Sequence, residues 1–243
     1  MAGRLALVGS GEYLPVLSEV EDWLFADNPR VYVQLATAAA PEGDASLAHW
    51  HDLGRQAAER LDAEQVIIDI RTREDAMDER WVPLIERAGL VYLSGGNPTF
   101  LAKALRDTPA WEAIRRTWER GAGLAGCSAG AMVMGGSIQH FRRPGAAPVE
   151  GLGVVPDARI LPHFDRYTRW LPDMALRPFV SHGGTVLGID EDTALVAQDP
   201  GEAGAGGEDP PWSFTVRGRQ DAYLITREGA QSVRAGIELA VRP

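Results

Sequence analysis

Cysteine is almost missing from this chain. Cys127 stands alone, so no intrachain disulfide can form. That fits a reducing compartment, and a cytoplasmic location is the expectation. Also missing is any dense block of lysine and arginine, which argues against a nucleic-acid or anionic-membrane surface. No apolar run approaches the length of a membrane span. The opening Met1-Ala2-Gly3-Arg4-Leu5 leads into a short apolar stretch that ends at Gly9. The stretch is too short to cross a bilayer, lacks a cleavage-site pattern, and reads as a first strand. The five histidines, His49, His51, His140, His163 and His182, lack ligand spacing. With no cysteine pair beside them, neither a metal nor another cofactor is expected.

What is present describes an acidic globular chain. Its 243 residues carry a formal charge of −10, and 45% of them are hydrophobic. That length suits one large α/β domain over residues 1–243, with enough apolar surface for a sizeable core. Short apolar runs at Leu5–Val8, Val31–Leu35, Val66–Ile70, Leu90–Leu93 and Gly123–Cys127 read as strands. Between them, Leu47, Trp50, Leu53, Ala57, Ala58 and Leu61 recur at helical spacing, and so do Trp81, Leu84, Ile85 and Ala88, and Trp111, Ile114 and Trp118. Alternation of this kind predicts a three-layer α/β/α architecture around a mostly parallel sheet. Further on the pattern is less regular. Arg143–Gly153 reads as a loop, Arg159–Leu161 as a short strand, and Asp165–Phe179 as a helix broken near Pro172. Val186–Ile189 and Ala194–Ala197 read as strands around a polar corner, and Pro200–Pro211 as a surface loop. Phe214–Val216 and Tyr223–Ile225 read as a hairpin, a small antiparallel extension near the C-terminus.

Four clusters carry chemistry. Gly126-Cys127-Ser128-Ala129-Gly130 matches G-x-S-x-G where a strand meets a helix. Such a turn lifts the serine hydroxyl clear of the sheet and aims the helix N-terminus at it. The Ala129 N–H is then placed to stabilise an oxyanion. A nucleophile on this turn needs glycine two residues on. Gly130 satisfies that from Ser128, whereas Ala129 fails it from Cys127, which reads instead as core packing. The second cluster, Ser94-Gly95-Gly96-Asn97-Pro98, follows a strand, and Gly96 is the candidate for the second oxyanion donor. Asn97 and Pro98 also suit a plain helix start, as N-cap and first residue. In the third, Leu161-Pro162-His163-Phe164-Asp165, a short strand precedes His163, the candidate base for the serine hydroxyl. Arg166 and Arg169 follow at i and i+3, able to present guanidinium groups to an acidic substrate or to serve as ordinary surface residues. In the fourth, Gly188-Ile189-Asp190-Glu191-Asp192, the acids form either a solvated turn or a carboxylate for His163 or for a substrate amine.

Together, and in this order, VGSGE, SGGNPTFL, GCSAGAM, PHFDRYTR and GIDEDTA resemble peptidase family S51, which includes dipeptidase E and cyanophycinase. The resemblance covers about Leu5 to Val196. It implies the class I glutamine amidotransferase-like, flavodoxin-like fold and hydrolysis of a peptide bond next to aspartate in a small peptide. By the same resemblance Ser128 is the nucleophile, His163 the base, Gly96 and Ala129 the oxyanion donors, and Asn97 a substrate contact. Glu191 falls on the glutamate that holds the substrate α-amino group in cyanophycinase. The family's triad acid lies soon after the serine, where this chain has Arg142, Arg143 and Ala146. The group that orients His163 is therefore open between Glu150, Asp190, Glu191 and a dyad with water. Asn97-Pro98-Thr99 is closer to the dipeptidase than to cyanophycinase, which has a glutamine after the double glycine. Two other outcomes are a glutamine amidotransferase-like hydrolase of another amide or ester, and a scaffold without a competent triad. The expected partner is a small peptide, with neither nucleic acid nor membrane, and a homodimer is a candidate assembly.

Overall fold

The computed structural model describes residues 2–139, 147–168, 177–180, 185–198, 212–227, 229–234 and 236–241. The first part of the chain alternates strands and helices: β1 (Arg4–Val8), α1 (Ser18–Phe25), β2 (Val31–Leu35), α2 (Asp44–Arg60), β3 (Glu64–Ile67), α3 (Arg73–Ala76), α4 (Val82–Ile85), β4 (Leu90–Leu93), α5 (Pro98–Leu105), α6 (Pro109–Glu119), β5 (Gly123–Cys127) and α7 (Ala129–Met134). After them come β6 (Ser137–Ile138), β7 (Val149–Glu150), β8 (Ala158–Leu161), α8 (Phe164–Thr168), α9 (Arg177–Val180), β9 (Thr185–Ile189), β10 (Thr193–Gln198), β11 (Trp212–Gly218), β12 (Ala222–Thr226), β13 (Gly229–Val233) and β14 (Glu238–Val241).

The main sheet runs β14-β11-β10-β1-β5-β4-β2-β3. Its five strands from β1 to β3 are mutually parallel, and β10, β11 and β14 add to the β1 side in antiparallel fashion. Successive side chains on a strand point to opposite faces, so each parallel strand feeds two cores. Leu5 and Leu7 join Val33, Leu35 and Leu93 on the face covered by α5, α6 and α7. Ala6 and Val8 join Tyr32, Tyr92 and Ala125 on the face covered by α1 and α2. A fully buried leucine contributes about 1.5–3 kcal/mol relative to its exposed state, so these two faces carry most of the stability. Among the described residues, no helix is long and apolar enough to cross a membrane.

A second sheet, β13-β12-β9-β8, joins the parallel pair β8/β9 to the antiparallel pairs β9/β12 and β12/β13. It corrects one expectation. Phe214–Val216 and Tyr223–Ile225 do not form a hairpin with each other, because the first pairs with β10 in the main sheet and the second with β9 in the small one. Gly218 allows the chain to leave the main sheet at this point. Its φ is +111°, and a Cβ there would lie 2.3 Å from the Asp192 carbonyl oxygen. Two boundaries also move. The third strand is Glu64–Ile67 rather than Val66–Ile70, and the helix expected over Trp81–Ala88 is a 3₁₀ turn (Glu79–Trp81) leading into the single turn of α4. The 200–211 loop lies outside the described residues, as do most of the 143–153 loop's first half and the centre of the 165–179 segment.

One buried carboxyl makes stability depend on pH. Glu21 is 1% exposed, and its Oε1 accepts a hydrogen bond from the Tyr32 hydroxyl at 3.0 Å. Burial pushes its pKa up from 4.5 to about 7, against the Tyr32 bond and the Arg60 charge, which pull it down. Between those two values the folded chain holds this proton more tightly than the unfolded chain does. Stability from this group is therefore complete below pH 4.5 and is lost as the pH rises through about 7. The loss is about 3 kcal/mol. Glu21→Gln keeps the acceptor oxygen without the charge. It should leave the melting temperature near that of the parent at pH 4 and raise it by about 6–12 °C at pH 8. Equal melting temperatures at pH 8 would contradict the assignment.

Candidate active site

Three loops meet at one edge of the main sheet because β1, β5 and β4 are parallel neighbours, and their C-terminal ends lie side by side. This is the edge at which open α/β sheets place ligands. From β5 comes Ser128, with φ 51° and ψ −109°, a strained conformation for a residue with a side chain. Its backbone N–H donates to the Val8 carbonyl at 2.9 Å, which pins the turn to β1. Two glycines make the turn sterically feasible. A Cβ at Gly126 would lie 2.4 Å from the Gly130 backbone, and one at Gly130 would lie 2.1 Å from the Leu93 carbonyl oxygen. The side chain of Ser128 remains partly exposed, and α7 begins directly after it.

The imidazole comes from the small sheet. His163 follows β8, and its Nε2 lies 3.0 Å from Ser128 Oγ. Its Nδ1 lies 3.0 Å from Glu191 Oε1. With Nδ1–H donating to the carboxylate, the Nε2 lone pair faces the serine hydroxyl. Two features of the topology bring Glu191 there. First, β8 and β9 are parallel and in register, Leu161 opposite Gly188, so the residues just past their ends are neighbours. Second, β10 runs antiparallel to β1, with Ala194 opposite Val8, so its first residues lie at the same edge as the ends of the parallel strands. The turn between β9 and β10 is thereby carried to the serine.

Glu191 is held from several directions. Arg166 Nε forms an ion pair with its Oε1 at 2.8 Å, and its own backbone N–H donates to Asp165 Oδ1 at 3.0 Å. Its carbonyl oxygen accepts from Gln220 Nε2 at 2.9 Å and from the Thr193 hydroxyl at 3.1 Å. Asp165 and Gln220 were not singled out from the sequence. Asp165 lies within the motif that contains His163, but nothing local to Gln220 points to this role.

The other two carboxyl candidates for His163 lie elsewhere. Glu150 is exposed and pairs with Arg106 at 2.7 Å. Asp190 turns toward the small sheet, where its Oδ2 accepts from the Tyr223 hydroxyl at 3.3 Å. Burial, followed by the nearby Asp165 charge, pushes its carboxyl up to about 6.

The Ser94–Asn97 turn leaves one amide free. Ser94 N–H donates to Leu35 O at 3.0 Å, Gly95 N–H to Glu12 Oε1 at 3.2 Å, and Asn97 N–H to Ala38 O at 2.8 Å. Among the described residues, the N–H of Gly96 has no acceptor, and the residue is exposed. The Ala129 N–H begins α7 and so has no acceptor within the helix. A Cβ at Gly95 would lie 3.5 Å from Ser128 Cβ, which puts the turn beside the serine. Asn97 takes the plain helix-start role, accepting from Phe100 N–H at 3.0 Å with Pro98 as the first helical residue.

Of the two arginines, Arg166 reaches the site but spends its Nε on Glu191, and its side chain is 70% exposed. Arg169, His140 and His182 lie outside the described residues. Cys127 is buried, and its thiol donates to Glu12 Oε2 at 2.7 Å. Burial, reinforced by Glu12, pushes that thiol well above its ordinary range, so it stays protonated and is unsuited to attack.

The family model for peptidase family S51 matches residues 6–202. A cyanophycinase of Nostoc sp. is 36% identical over 155 residues, covering 59% of this chain and 51% of that protein. One from Geminocystis herdmanii is 32% identical over 143 residues. The chain thus spans about half the length of the curated relatives it matches. The crystal structure of a peptidase from an acI-B1 Actinobacterium superposes with a TM-score of 0.86 at 36% identity, covering 99% of this chain and 97% of that one. A putative peptidase E protein from Listeria monocytogenes matches with a TM-score of 0.59 at 18% identity, a likeness of fold.

Proposed function

The chain belongs to peptidase family S51, and from that premise we propose that it is a serine peptidase cleaving the bond next to an acidic residue in a dipeptide or small peptide. The observation that carries this reading is the unbroken relay from Ser128 Oγ to His163 Nε2, and from His163 Nδ1 to Glu191 Oε1, each step 3.0 Å. A hydroxyl attacks poorly until a base removes its proton. His163 takes that proton as Ser128 adds to the peptide carbonyl, and Glu191 holds the ring and stabilises its charge. The oxyanion is received by the N–H groups of Gly96 and Ala129, each worth about 3 kcal/mol in the transition state. His163 then protonates the departing amine, and water releases the acyl group from Ser128.

Glu191 is better suited to orienting the imidazole than to holding a substrate amine, because His163 and Arg166 already meet at its Oε1. The scaffold outcome rested on a missing acid, and Glu191 supplies one. The acidic preference rests on Arg166, whose guanidinium is exposed beside the relay and is the cation at hand for a substrate carboxylate.

Two measurements test this. A fluorophosphonate should label Ser128 stoichiometrically. Asp-X dipeptides should then be hydrolysed at least about tenfold faster, by kcat/KM, than Ala-X dipeptides. Equal rates on the two series would remove the acidic preference and leave a general peptidase. No labelling at any concentration would remove the enzyme.

A further inference from the structure

Below the serine lies a buried carboxyl group that the relay does not use. Glu12, from the loop after β1, is 7% exposed, and its two oxygens serve different segments. Oε1 accepts from Gly95 N–H at 3.2 Å, and Oε2 accepts from the Cys127 thiol at 2.7 Å. Gly95 immediately precedes Gly96, and Cys127 immediately precedes Ser128. One carboxyl therefore bridges the two segments that carry the unpaired N–H groups of Gly96 and Ala129.

We propose that Glu12 is a positioning residue for the oxyanion site, clamping the Ser94–Asn97 turn to the end of β5 so that the Gly96 and Ala129 N–H groups keep a fixed separation. The inference rests on the serine-peptidase reading of this site. β4 and β5 are paired up to Leu93 and Gly126, and beyond that point their ladder ends. Past it, each loop is free to move relative to the other unless something ties them together. The turn is otherwise tied outward, to Leu35 and Ala38. A hydrogen bond between the Ser94 and Tyr13 hydroxyls at 2.6 Å runs to the loop that contains Glu12. The packing has no slack, since a Cβ on Gly95 would lie 2.9 Å from Glu12 Oε1. Two donors converge on an oxyanion only if their spacing survives thermal motion, and a displacement of 1 Å can cost about 100-fold in rate.

The test uses the full chain with three substitutions. Glu12→Ala should lower kcat by about 100-fold with KM within about threefold of the parent, because an oxyanion donor acts on the transition state. Affinity for a peptide boronate, which forms a tetrahedral adduct on Ser128, should fall by a similar factor. Glu12→Gln, whose amide oxygen can still accept from Gly95, should recover most of the loss. If the alanine variant fails to fold, Glu12→Asp replaces it, since a side chain one methylene shorter cannot reach both partners, and it should show the same loss of kcat. Hydrogen exchange at the Gly95 amide reads the clamp without any activity and should accelerate in the alanine or aspartate variant. If the parent neither labels nor turns over while Gly95 exchange accelerates, the peptidase reading fails and the clamp stands. Unchanged kcat, boronate affinity and Gly95 exchange in the variant would overturn the clamp, as would a loss confined to KM.

Discussion

Alanine in place of Ser128 is expected to lower kcat by roughly a million-fold, and alanine in place of His163 by a similar factor. The size follows from the roles proposed for them. Without the hydroxyl no acyl-enzyme forms, and without the imidazole the hydroxyl keeps its proton. Because the two groups act as one device, separated by 3.0 Å, their losses should not add. The double variant should therefore be about as slow as either single one. Activity about 10³–10⁴-fold above the uncatalysed rate should persist in all three, supplied by binding and by the oxyanion donors. Single-turnover kinetics on one peptide across the three variants would check this. Additive losses would mean that Ser128 and His163 act in separate steps, which the relay does not allow.

The second large effect concerns Glu191. Replacing it with glutamine should lower kcat by about 10,000-fold while leaving the fold intact. An amide presents either an oxygen or an N–H to Nδ1. If the N–H faces the ring, the proton moves to Nε2 and the lone pair no longer meets the Ser128 hydroxyl. The charge that stabilises the imidazolium is lost in either case. Glu150→Gln serves as the comparison. Its partner is Arg106 on an exposed surface, so its effect on kcat should stay within about twofold. A comparable loss in both variants, or none in either, would remove Glu191 from the relay. A large loss at Asp190 alone would point to the buried carboxyl beside Tyr223 instead.

How much of this site was legible depended on how local each constraint is. The serine turn was plain because its whole cause lies within five residues: glycine at 126 and 130, a strand before and a helix after. His163 was identified from the short strand that precedes it, since a residue just past a strand end is held firmly at a sheet edge. The acid was not resolved. Asp190, Glu191 and Asp192 are chemically near-equivalent neighbours, and Glu150 lies closer in sequence to the serine. Which carboxyl meets Nδ1 depends on the pairing of β8 with β9 and on which way each side chain leaves the turn, and neither is a local property. The hairpin expected over residues 214–225 failed for a related reason. Two alternating runs separated by a glycine-containing turn resemble a hairpin, yet each pairs with a strand of a different sheet. Glu12 was visible only as the end of a glycine-rich motif. Its two partners lie 83 and 115 residues away.

The alternation of strands and helices in the first half of the chain, the two-faced apolar patterning of the parallel strands, the nucleophile turn and the free N–H at the start of α7 were all determined by the sequence alone. Each follows from side-chain size, polarity and backbone freedom over a few residues. The tertiary structure alone decided that Glu191 completes the relay and that Glu12 ties the Ser94–Asn97 turn to the end of β5 beneath the serine. Those outcomes depend on which strand ends lie side by side. Strand pairing is settled by burying both faces of a sheet across the whole chain, and no short stretch of residues contains that information.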